Sequence, residues 1–291
     1  MILYIWKLLY FLMEVLIADL FVLKLFKNKF PYLFFVFSSQ TNQSFLLLFQ
    51  LLIWIEKNNK HSTLLGSLKS IKLLPKSQMV YFYLIQEILA KVVKKISVGS
   101  KIFDLCLFGD SSLIEDLSKV YNKKQVFKGI AFPTCISVNE ICGHNSPLED
   151  ESVAIKEGDL VKIELGAHVD GFAAFAAHTI VVQSDAKAVI TGPKADVILA
   201  AYKSIQAALR VIKPGNFNNQ VTEVIRKVSE SYQVTPLEGV LSHDLKKHLI
   251  DGNKVILNKE TFEQKVEDQE FQVNDVFALD VYVSSGEGKT K

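Results

Sequence analysis

The chain has 291 residues, enough for one large domain or two ordinary ones. Its formal net charge is +2, so bulk charge singles out neither nucleic acid nor an acidic partner. Three cysteines (Cys106, Cys135, Cys142) are odd in number and form no Cys-x-x-Cys pair, which argues against a disulfide scaffold or an all-cysteine zinc site and for a reducing compartment.

Two alphabets are joined in this sequence. Residues 1–65 contain no glycine, and Ala18 is the only alanine before Ala90. Both Trp and nine of the twenty Phe lie within the first 54 residues, whereas globular frequencies of Gly, Ala, Val, Asp and Glu begin near Met79. A boundary is therefore predicted at residues 75–80. The stretch 1–78 is read as hydrophobic, of low complexity and outside the fold, of the kind that translated non-coding sequence produces. A membrane anchor within residues 1–55 is the alternative. A spanning helix needs about 20 apolar residues in a row. Lys7, Glu14, Asp19, Lys24 and Lys27 interrupt one candidate, and Pro31 with the run "SSQTNQS" breaks the other. No secretory signal is clear.

The next segment, from Leu84 to Lys123, reads as helix, glycine turn, helix. Ile85, Ile88, Leu89, Val92 and Val93 recur at helical spacing, which leaves Lys91, Lys94 and Lys95 outward. The phrase returns about a hundred residues later, with Gly215 in the place of Gly99. Two copies of one helical unit, each followed by strand-rich sequence, predict an α+β domain with internal pseudo-symmetry. In "DLVKIELGAHVDGF", Val161, Ile163 and Leu165 alternate with Lys162 and Glu164 as in a half-buried strand. "AAFAAHTIVV" is its predicted antiparallel neighbour across a turn at Asp170-Gly171. "NDVFALDVYVSSGEG" is predicted as a later strand carrying Asp280.

An acid inside an apolar strand is costly unless it meets a metal, a cation or several donors. Glu164 and Asp280 are two such acids, and with His243 they form a usable ligand set. Spacing alone favours a plain alternative, in which the acids pair with lysines and His243 makes an ordinary hydrogen bond. Lysines cluster at 91, 94 and 95, at Lys119, Lys123, Lys124 and Lys128, and at Lys246 and Lys247. Such clusters supply phosphate contacts or, more commonly, a solvated face.

Four stretches carry a resemblance: "KGIAFPTCISVNEICGHNSP", "IKEGDLVKIELGAHVDGF", "GVLSHDLKKHLIDG" and "VSSGEGK". Together they resemble the proliferation-associated, ErbB receptor-binding proteins. These are relatives of type 2 methionine aminopeptidases that share the pita-bread fold and lack peptidase activity. The resemblance runs from about Leu84 to Lys291 and does not reach the first 80 residues. It implies a partial pita-bread domain over 79–291 that lacks the family's carboxy-terminal third. Active members of the wider family bind two metal ions through two Asp, one His and two Glu. By that resemblance Glu164 falls on the first Asp position and Phe175 on the second. His243 falls on the histidine, Asp280 on the first Glu, and the last Glu would lie beyond Lys291. His144 matches a histidine that contacts substrate.

These substitutions imply an inactive site with no metal and no cofactor. The resemblance itself implies a binding protein, with no small-molecule substrate, that engages structured RNA, ribosomal particles and protein partners in growth control, ribosome biogenesis or translation. The implied location is the cytoplasm and the nucleus or nucleolus. Lys91, Lys94, Lys95, Lys123, Lys124, Lys128, Lys246 and Lys247 are the candidate RNA or partner contacts. Two alternatives remain at this point: a residual aminopeptidase using one metal, and a form anchored to a membrane through residues 1–55.

Overall fold

The computed structural model describes residues 76–121, 125–150, 153–185 and 187–290. Residues 1–75, including the candidate anchor in 1–55, lie outside the described residues, as do Lys123 and Lys124. Among the described residues no helix is long and apolar enough to cross a membrane.

Two helices open the described chain, α1 (Lys76–Lys95) and α2 (Ile102–Lys119). The predicted apolar stripe of α1 faces inward: Ile85, Ile88, Leu89 and Val92 are buried, and Lys91, Lys94 and Lys95 are exposed. Three long strands follow, β1 (Lys128–Val138), β2 (Leu160–Val169) and β3 (Phe172–Val181), as an antiparallel sheet in the order β1-β2-β3. The β2–β3 turn lies where the sequence placed it. Val169 pairs with Phe172, and both turn residues, Asp170 (φ 53°) and Gly171 (φ 76°), are left-handed as a two-residue hairpin requires.

Strand alternation divides the sheet into two faces. Val161, Ile163, Leu165, Ala167 and Val169 of β2 are buried in one core with Ile85, Ile88 and Leu89 of α1 and Leu105, Leu113 and Leu117 of α2. The other face of β2 carries Lys162, Glu164, Gly166 and His168. Helix α2 comes so near β1 that a Cβ on Gly109 would lie 2.3 Å from Thr134 Oγ1.

The second half repeats the first. Helices α3 (Pro193–Val211) and α4 (Asn218–Ser231) precede five short strands: β4 (Thr235–Pro236), β5 (Leu241–Asp244), β6 (Val255–Leu257), β7 (Phe277–Ala278) and β8 (Val283–Ser284). Strand β5 lies between β6 and β7, and β4 pairs with β8. A second core gathers Ala208, Ile212, Val221, Ile225, Ile256, Phe271, Phe277 and Leu279.

The predicted helical repeat extends into the backbone hydrogen bonding at a constant offset of 116 residues. Gly99 N–H donates to Ile155 O (2.8 Å), and Gly215 N–H donates to Phe271 O (3.3 Å). Ile102 N–H reaches Val153 O, and Asn218 N–H reaches Gln269 O, both at 3.1 Å. Asp159 caps the Lys156 N–H at 2.7 Å as Asp275 caps the Gln272 N–H at 2.8 Å. Left-handed residues recur as well, Gly99 with Gly215 and Gly158 with Asn274. At the same offset Glu164 becomes Asp280. The two acids singled out in the sequence occupy one position of the repeat.

One strand differs from its prediction. The segment around Asp280 is not continuous, because only Phe277–Ala278 and Val283–Ser284 are strand. The reason is a side chain. Ser242 Oγ accepts from the Asp280 N–H (2.9 Å) and donates to the Asp280 carbonyl (3.2 Å), filling both groups that a ladder would use.

Candidate functional site

The cleft lies on the face of β2 opposite the first core. Glu164 sits mid-strand between Cys135 of β1 and Ala177 of β3. The loop after β1 folds over it, so that His144 N–H donates to Glu164 Oε2 at 3.3 Å and the His144 Nδ1 lies 4.0 Å from that oxygen. From the second half Tyr282 reaches the same loop. A Cβ on Gly143 would come within 2.8 Å of the Tyr282 hydroxyl and 3.3 Å of Glu164 Oε1.

Asp280 faces His243, with Oδ2 3.8 Å from Nε2. The other imidazole nitrogen, Nδ1, is buried without a hydrogen bond and lies 3.9 Å from Asp251 Oδ1. Burial lifts the Glu164 carboxyl above the ordinary range against the opposing pull of the His144 N–H, and the Asp280 charge lifts it further. The Asp280 carboxyl is lifted too, by protein crowded around it and against the pull of His243, although 45% of its side chain stays open to the cleft. Lys162, two residues before Glu164 on the same face, donates to Asn139 O at 2.9 Å. Burial holds its ammonium below the usual lysine range.

Phe175 pairs with Gly166, and a Cβ on Gly166 would lie 2.4 Å from the phenyl ring. The ring meets Phe132 edge-on at 6.3 Å, and Phe132 in turn meets His144 at 5.3 Å. An aromatic shelf thus borders the carboxylates. Among the described residues no three His, Cys, Asp or Glu side chains converge into a metal-holding group. A pair of divalent ions needs several carboxylates at metal-bonding distance to offset its charge.

Glu164 with His144, Asp280 with His243, and Phe175 on the shelf are therefore the sequence-selected residues that the fold places in the cleft. Lys162, Cys135, Phe132, Gly143 and Tyr282 were not singled out beforehand. Only Lys162 had a visible signal, the alternation that puts it on the Glu164 face.

The candidate contact lysines mostly have partners within the chain. Lys91 pairs with Asp116 at 2.7 Å, Lys246 with Asp244 at 3.1 Å, and Lys247 with Asp170 at 2.9 Å. Lys95 lies over the Phe108 ring, and the Lys128 ammonium donates to Val120 O. Lys94 is exposed.

The cysteines differ in environment. Burial pushes the Cys135 thiol up to about 12 and the Cys106 thiol up to about 11, whereas Cys142 is partly exposed. Because the thiolate is the reactive form, a maleimide titration of the native protein is expected to modify Cys142 alone and quickly. Cys106 and Cys135 should react only after unfolding. Fast native labelling of Cys135 would contradict its placement beside Glu164.

The chain belongs to metallopeptidase family M24, whose model matches residues 84–289, and it has that family's pita-bread fold. It is 46% identical over 201 residues to Proliferation-associated protein A of Dictyostelium discoideum, covering 69% of this chain and 52% of that one. It is 45% identical over 212 residues to the Curved DNA-binding protein of Schizosaccharomyces pombe, covering 71% and 55%. Among solved structures, a thermophilic Arx1 superposes with a TM-score of 0.67 at 27% identity over 74% of this chain and 63% of that one. The chain spans about half the length of the curated relatives it matches.

Proposed function

We propose that this chain is a non-catalytic member of its family that acts by binding structured RNA and ribosome-associated particles in the cytoplasm and nucleus. The observation carrying the first half is Phe175. By the family resemblance its ring falls on the position where active members carry a carboxylate that bridges two metal ions, and a benzyl group supplies no such charge. Glu164 and Asp280 each differ from the family residue by one methylene, about 1.5 Å on standard bond lengths. Metal–oxygen distances tolerate only about 0.2 Å. Likeness to a relative named for DNA binding supports the nucleic-acid half. The exposed Lys94 and the rim lysines Lys246 and Lys247 offer phosphate contacts if they exchange their internal partners.

Two measurements test this reading. A methionine-release assay with cobalt, manganese, iron or zinc is expected to show no turnover, and turnover that needs His243 would refute it. Binding to a structured RNA should weaken as salt rises, because phosphate contacts release counterions. Equal binding to duplex DNA, or affinity insensitive to salt, would reject the RNA assignment.

A further inference from the structure

The β2–β3 turn of the first half docks on the loop between β5 and β6 of the second. Gly171 O accepts from the His248 N–H at 2.7 Å. Lys247 Nζ lies 2.9 Å from Asp170 Oδ2 and 5.4 Å from the centre of the Phe172 ring. A Cβ on Gly171 would come within 2.3 Å of His248 Nδ1, so the imidazole sits directly on the turn. The loop is itself held in shape, because Lys246 and Leu249 exchange both backbone hydrogen bonds at 2.9 Å. Strand β2, which leads into the turn, carries Glu164, and β5, which leads into the loop, carries His243. The contact therefore joins the strands that hold these two cleft residues.

His168 lies beside this contact, two residues before Asp170. Its ring meets Phe127 at 4.8 Å, and the Phe127 carbonyl accepts from the Asp170 N–H at 2.6 Å. The His168 Nδ1 is buried and has no hydrogen-bond partner. A neutral imidazole can leave that nitrogen bare, with its one proton on Nε2. A second proton would make Nδ1 a charged donor with no acceptor in reach. Burial and the charge of nearby His248 both hold the His168 imidazole below the ordinary histidine range.

The surrounding charges do not reverse this. Asp170, the acid of the turn, is engaged by Lys247, which holds its carboxyl below the usual range and so keeps it ionised while histidine titrates. Lys128 of β1 turns its ammonium to Val120 O. Strand β3 sets Ala173 opposite His168 and brings no charge there.

We propose that this contact is an acid-sensitive clasp between the two halves: a proton taken up at His168 releases the β2–β3 turn from the loop around His248. The clasp goes beyond the binding role proposed above and depends on neither the peptidase nor the RNA reading. Its sign follows from linkage. A histidine whose folded-state pKa lies below its unfolded value binds its proton more weakly in the fold. The clasp is therefore whole above the ordinary value of about 6.5 and is lost as pH falls through the folded one.

Hydrogen exchange of the full 291-residue chain, followed at the His248 amide from about pH 7.5 to about pH 5, reads the clasp directly. After correction for intrinsic rates, opening should rise by up to about tenfold per pH unit below about pH 6.5, one proton per opening. The Val182 amide, which donates to Asp159 O in the same half, should show no such rise. His168→Gln cannot take up the proton and should make the His248 amide insensitive to pH. Opening that does not change with pH would overturn the proposal. So would an equal rise at Val182, which would mean general unfolding, or a rise that persists in His168→Gln, which would assign the proton elsewhere. Imidazole titration by NMR on the unsubstituted chain decides the matter even if the variant fails to fold. His168 titrating at or above the ordinary value would refute the clasp.

Discussion

Asn218→Ala is expected to lower stability by about 3–5 kcal/mol, a large share of the roughly 5–15 kcal/mol typical of a domain. Asn218 is 2% exposed at the start of α4. Its Nδ2 donates to Val255 O at 2.9 Å and Glu267 O at 3.0 Å, while its Oδ1 accepts from the N–H groups of Asn219 and Gln269 at 2.9 and 3.0 Å. One amide thus joins α4, β6 and the loop returning to the second core. Alanine removes all four part-buried bonds and leaves their backbone groups without these partners, each a loss of about 1–3 kcal/mol that is only partly additive. Urea unfolding should show a lower midpoint with an unchanged slope. Asn219→Ala is the control. That side chain makes one exposed bond to Asp268, and its loss should stay within about 0.5 kcal/mol. If Asn218→Ala were as mild as the control, the amide would not be the joint described.

Phe175→Asp is expected to restore no peptidase activity and to lower stability by about 3 kcal/mol at neutral pH. The substitution removes the ring packed on Gly166 and Phe132 and places a third carboxyl in a cleft where Glu164 and Asp280 are already lifted. The same burial and like charge lift the introduced group. A carboxyl whose folded-state pKa exceeds its unfolded value binds its proton more tightly in the fold. Its penalty is therefore absent below the unfolded value and grows as pH rises through the folded one. The stability deficit should shrink near pH ~4 and widen near pH ~7, around the ordinary carboxylate range. Melting curves of both proteins at the two pH values test this; an equal deficit at each would mean that the group escapes to solvent. In activity, one repaired position still leaves Glu164 and Asp280 displaced by a methylene each. Methionine release with close to two metal ions per chain would refute the proposed function.

Much of this protein was legible along the chain because the signals were local. The apolar stripe of α1, the alternation of β2, the turn at Asp170-Gly171 and the recurrence of Gly99 as Gly215 all depend on residues within one turn or one strand repeat. Periodicity reports such spacing directly. The motifs around His144, Glu164, His243 and Asp280 likewise identified a family, and with it a fold. Other features arose only when distant segments met. Ser242 interrupts the strand predicted around Asp280 from 38 residues away. Tyr282 and Gly143 meet above Glu164 from opposite halves of the repeat, and no local pattern marks either. The equivalence of Glu164 and Asp280 was hidden because one lies in a long strand and the other between two short ones. The matching hydrogen bonds in the two halves align them at the offset that carries Gly99 to Gly215. Side-chain spacing along one element is set by backbone geometry and can be read in order, whereas the cleft and its lifted carboxyls depend on which elements pack together.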